Sequence, residues 1–143
     1  MKKLLPIVLA AALLIVACKK NERAPEGPTD VRIKNVSTFT LHDLTVDIDT
    51  VVNYGVINAQ ATSNYIRFPK AYPKVKITAK VNIDGSLVTF ASRAVDYTYM
   101  QYMGRMRITY VISIPSVPDK LIEMEVIPEE GLFLNADIEQ PLY

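Results

Sequence analysis

The sequence predicts an all-β fold, an antiparallel two-sheet sandwich of seven to eight strands. Three observations carry that reading. Beyond residue 30 the apolar side chains recur with a period of two, turn dipeptides and prolines separate the alternating runs, and no stretch offers three turns of helical periodicity with caps.

The clearest run is KVKITAKVNI, residues 74–83. It sets Val75, Ile77, Ala79, Val81 and Ile83 on one face and Lys74, Lys76, Thr78, Lys80 and Asn82 on the other. Such a run is a strand with one buried and one wet face. Asp84-Gly85 follows, a pair that tolerates the positive φ of a tight hairpin, and SLVTFAS returns beside it. The same alternation marks DLTVDID (43–49) through Leu44, Val46 and Ile48, RMRITYVISI (105–114) through Met106, Ile108, Tyr110, Ile112 and Ile114, and LIEMEV (121–126) through Ile122, Met124 and Val126. Val31 to Val36 and Asn64 to Phe68 are shorter candidates, and Leu132 to Leu134 could add or cover an edge. Prolines 69, 73, 115, 118 and 128 are expected between strands, where a missing N–H removes no ladder bond. In outline the sandwich is immunoglobulin-like or transthyretin-like.

The N-terminal residues have a different composition. Lys2 and Lys3 precede an apolar run from Leu4 to Ala17, which ends at Cys18. At about 1.5 Å per residue this run is too short for a hydrocarbon core of roughly 30 Å, so it reads as an export signal over residues 1–17. Ile15-Val16-Ala17-Cys18 resembles the lipobox of bacterial lipoproteins, in which the cysteine is acylated. Cys18 is the only cysteine, which excludes a disulfide within the chain. The alternative is an ordinary signal peptide with an incidental thiol, a liability in an oxidising compartment. Residues 18–30 then form a lipidated tether, low in apolar side chains, and 31–143 the domain. Such an anchor implies a place at the cell envelope, with the outer membrane favoured over the inner membrane or cell surface.

Without Lys2 and Lys3, 14 basic residues stand against 15 acidic ones, and no charge run remains to attract nucleic acid. Candidate chemistry is sparse. His42 is the only histidine, so acid–base or nucleophilic catalysis has one imidazole to use; no metalloprotease, nucleophile-elbow or phosphate-loop motif is present, and no cofactor is expected. Asp43, Asp47 and Asp49 with Asn53 offer oxygens for Ca²⁺, and carboxylate pairs could serve glycoside hydrolysis, but the same alternation describes a solvated strand face. Met100, Met103 and Met106 repeat the spacing of thioether Cu(I) sites. They converge only in a helical turn or tight loop; otherwise Met100 and Met103 fill irregular space at the end of the sandwich. Tyr65, Tyr72, Tyr97, Tyr99 and Tyr102 fall in loops and strand ends, where they form either a platform for a glycan or protein partner or a cap on the core.

Asn35-Val36-Ser37, Tyr54-Gly55, Ser63 with Tyr65, Lys70-Ala71-Tyr72, Ile83-Asp84-Gly85 and Asp96-Tyr97 together resemble a group of small, mostly uncharacterised lipoproteins of Bacteroidota. The resemblance spans roughly residues 31 to 114. It implies a lipid-anchored envelope protein with a β-sandwich domain and brings no activity with it. Asp49-Thr50-Val51 also looks like the O-glycosylation pattern of that phylum, although a strand end explains it as well. Together these readings favour a non-catalytic interaction or accessory subunit with an envelope protein partner. The alternative is a binder of glycan or Cu(I), with a hydrolase third.

Overall fold

The computed structural model describes residues 27–48, 50–98 and 100–129. They form eight strands: β1 (Thr29–Asn35), β2 (Leu41–Asp47), β3 (Val51–Ile57), β4 (Ile66–Phe68), β5 (Lys76–Ile83), β6 (Ser86–Ser92), β7 (Arg107–Ser116) and β8 (Leu121–Glu129). No helix occurs among the described residues. The all-β expectation and the strand number hold.

The expectation of purely antiparallel pairing is corrected. All eight strands belong to one mixed sheet in the order β3-β2-β5-β6-β8-β7-β1-β4. β1 runs parallel to β7, and β6 parallel to β8. The first parallel pair follows from the long connection after β6, which brings the chain back to the end of the molecule where β1 starts. There the Thr29 hydroxyl donates to Gly104 O at 2.5 Å, and Asp30 N donates to Met106 O at 3.0 Å. An immunoglobulin order is also corrected: there the first strand pairs with the second, whereas β1 lies between β4 and β7. The sheet curls strongly, since the Tyr54 hydroxyl on β3, at one edge, donates to Val31 O on β1, next to the other edge, at 2.9 Å.

Period-two burial explains most strands. Ile77, Ala79 and Val81 of β5 and Ile108, Tyr110 and Ile112 of β7 are buried, and with Phe90, Ile33, Leu44 and Ile122 they fill the concave side. β2 departs from strict alternation. Leu41 and Leu44 are both buried although three apart, because Asp43 takes a φ of 47° and the ladder slips there. This bulge lets the strand start before the expected residue 43. β1 also starts early, with Thr29 and Asp30 already buried, so the ordered strand reaches into the expected tether. Pro115 and Pro128 lie inside β7 and β8, not between strands. Pro115 sits at a register irregularity, and β8 has, among the described residues, a side without a ladder partner, the two settings a strand proline tolerates. Residues 84 and 85 make the expected turn, with φ of 51° at Asp84 and 86° at Gly85.

Candidate functional site

The crossing segments between strands carry most of the polar order. Asn35 ends β1 and is buried. Its Nδ2 donates to Phe39 O (2.8 Å), Ile57 O (3.3 Å) and Asn58 O (3.0 Å), while its Oδ1 accepts from Ser37 N (3.0 Å) and Ser37 Oγ (2.7 Å). One amide thus ties β1, the turn into β2 and the end of β3. The Asn-Val-Ser segment is a structural clasp between strands from opposite ends of the sheet order.

Three of the candidate tyrosines meet. Tyr72 and Tyr97 have ring centroids 4.9 Å apart, and Tyr72 and Tyr102 5.2 Å, with Lys70 Nζ 5.0 Å from the Tyr102 ring. Tyr72 is only 8% exposed. The Tyr97 hydroxyl donates to Asp47 O at 3.0 Å and accepts from Lys76 N at 3.1 Å; below, the Tyr110 hydroxyl donates to Tyr72 O at 2.6 Å. Burial raises the Tyr110 phenol well above its ordinary pKa. The rings face one another and the core, the geometry of a cap. Met100, Met103 and Met106 are half-buried and pack against the same core, and Met103 N donates to Ala71 O at 2.8 Å. Tyr99 lies outside the described residues.

Tyr65 is elsewhere, on the outer face of β1, β7 and β8. Its ring lies 4.9 Å from the Arg32 guanidinium carbon and 5.1 Å from that of Arg107, and its hydroxyl donates to Glu129 Oε2. Arg32 Nη2 lies 2.8 Å from Glu129 Oε1, which also accepts from the Thr109 hydroxyl at 2.6 Å. Burial works to raise the Glu129 carboxyl, but the hydrogen bonds from Thr109 and Tyr65 and the Arg32 charge hold it below the usual carboxylate range. The Tyr65 phenol, desolvated and bonded to that carboxylate, is pushed up to about 12. The ladder sets Arg67, Asp30, Arg107 and Glu129 side by side across four strands. Arg67 Nε bonds Asp30 at 2.9 Å, and Arg107 Nε stays 3.9 Å from it. This lattice was invisible in the sequence, because each strand supplies only one or two of its members.

The described surface also has concave places. A cleft of about 410 Å³ opens between Lys74 and Val75, the end of β6 with Arg93 to Val95, and Ile122 to Met124 of β8. A second, of about 480 Å³, lies between β3 and residues 58–66, and a third, of about 440 Å³, beside Ser92, Lys76 and Tyr97. Sequence reading missed Lys74 and Arg93 as lining residues of one cleft. The only signal was that each is a cation next to a strand boundary.

Compared with known proteins, the chain matches no family model and no curated protein. His42 is half-buried on β2. Asp43 bonds Lys80 at 2.8 Å, and that hydrogen bond and charge hold its carboxyl below the usual range; Asp47 lies 3.7 Å from Lys76. Asp49 lies outside the described residues, and Thr50 is exposed. No group of three or more His, Cys, Asp or Glu side chains suited to a metal occurs among the described residues. No described helix is long and apolar enough to cross a membrane. The signal segment, Cys18, most of the tether and Leu132 to Leu134 lie outside the described residues.

Proposed function

We propose that the chain is a lipid-anchored cell-envelope protein that binds another polypeptide, as an interaction or accessory subunit, through an open strand edge. The observation that supports it is β8. From Glu123 to Glu129 this strand has β7 on one side and, among the described residues, no ladder partner on the other. Unpaired N–H and C=O groups in a row are a template for an added strand. The anchoring half of the reading rests on Lys2, Lys3, the apolar run and Cys18, and the lipoprotein group of Bacteroidota is the kinship it suggests. Two lipid signals at Cys18 would suffice for stable attachment.

The finer fold belongs to the same reading. The β6–β8 pairing is two residues long, so the sheet can be regarded as two four-stranded layers, β3-β2-β5-β6 and β8-β7-β1-β4, folded face to face. We adopt the transthyretin-like outline for it. Binding of a glycan or Cu(I) is the weaker reading, because the rings of Tyr72, Tyr97 and Tyr102 are turned to one another and the methionines to the core.

Cross-linking in the native host, with recovery of the lipidated protein and mass spectrometry, tests the reading. A stoichiometric envelope protein cross-linked to β8 supports it. Recovery of the chain alone, or a Cys18→Ser protein that stays at the membrane, removes the corresponding half.

A further inference from the structure

β6 accompanies β8 only from Ala91 beside Leu121 to Ser92 beside Ile122, and then turns away. The departing strand leaves a wedge, and the cleft of about 410 Å³ lies in it. Its apolar lining includes Val75 and Ile122, both buried, and half-buried Met124. Its cations are Lys74 and Arg93, both exposed, and neither forms an ion pair among the described residues, not even with Glu123, the one carboxylate of the lining. Among the described residues, unpaired backbone, an apolar recess and two unneutralised cations therefore meet at one end of an open edge. The cleft beside β3 lacks this set: its lining has no charged side chain, and the Tyr54 and Asn35 hydrogen bonds cross from β3 to β1 beside it.

We infer that the wedge receives the carboxy-terminal end of a partner polypeptide, added to β8 as an extended antiparallel strand. The last side chain of the partner enters the recess over Val75, Ile122 and Met124, and its terminal carboxylate meets Lys74 and Arg93. The direction follows from the geometry. The cations lie near the start of β8, so a strand whose carboxylate ends there runs opposite to β8. Side-chain alternation then sets the preceding residues. Opposite exposed Glu125 a basic residue fits, and opposite half-buried Val126 an apolar one. Charge complementarity thus selects both the terminus and the residue before it.

This inference rests on the partner-binding reading and can fail separately from it. The test titrates the full chain, in detergent, into a dye-labelled peptide Gly-Thr-Val-Lys-Val with a free carboxylate and into its C-terminal amide, following anisotropy. In parallel, random hexapeptide arrays are compared with free and with amidated termini. The expected result is saturable binding of the free acid, weakened about tenfold by amidation, as for the loss of a charge-assisted hydrogen bond. A Lys74→Glu, Arg93→Glu protein is expected to lose the preference for the free acid at an unchanged melting temperature, since both side chains are exposed. Equal binding of acid and amide, or arrays in which no free terminus outperforms its amide, overturns the inference. If cross-linking still recovers a β8 partner in that case, the interaction reading stands and only the terminal-carboxylate assignment falls.

Discussion

Asn35 concentrates its hydrogen bonding at a single buried position. Its Nδ2 serves three carbonyls and its Oδ1 anchors Ser37. Replacing it by alanine strands several of these groups, and Asn35→Ala is expected to lower stability by about 3 kcal/mol, read from urea midpoints. Asn35→Asp is expected to be worse, because a carboxylate would face three carbonyl oxygens. Glu129 gives the pH dependence. Its folded-state pKa is depressed, so its contribution is complete above the unfolded value of about 4.3 and is lost as the pH falls through the folded value. Glu129→Gln is therefore expected to destabilise the protein at about pH 7 and to flatten the decline of the urea midpoint below about pH 4. An equal acid slope in both proteins would show that Glu129 is not one of the titrating groups.

Among the elements, β5 and β6 were legible from the sequence because both faces of β5 keep strict alternation and Asp84-Gly85 closes the hairpin. Both turn residues have positive φ, and nothing lies within 4 Å of a Cβ built at Gly85. A side chain there meets backbone strain without a clash. Gly85→Ala is expected to cost about 1 kcal/mol in urea unfolding, whereas Asp84→Gly should be close to neutral, because glycine adopts the same positive φ freely. β3 was not legible. Its Val51 and Val56 are 61% and 59% exposed, and Gly55, at φ 74°, breaks the alternation that Val52 and Tyr54 begin. A kinked edge strand that leaves apolar residues such as Val51 and Val56 in water carries a weaker alternation signal than a central one.

For the whole molecule, the core is shared between the two halves of the strand order, and bonds such as Tyr54 to Val31 and Tyr110 to Tyr72 cross between distant parts of the chain. Unfolding is expected to be one cooperative transition, with the tyrosine near-ultraviolet signal and the far-ultraviolet backbone signal falling at the same urea concentration. Two separated transitions would mean that the β6–β8 seam divides independent units. The same seam creates the wedge proposed to take a partner strand. An open edge and a cooperative core are compatible, because the edge lies outside the side-chain packing that holds the sheet together.

The sequence by itself determined the period-two elements, the Asp84-Gly85 turn, most of the inward-facing residues and the expectation of an anchored chain, since each of these is written in neighbouring residues. The tertiary structure alone decided the strand order, the parallel pairing of β1 with β7, the separation of Tyr65 from the other tyrosines, and the meeting of Lys74 and Arg93 with β8. Those features join residues tens of positions apart. Local alternation says which face of a strand is buried, but not which strand lies beside it; that is settled only when the whole apolar surface is closed over one core.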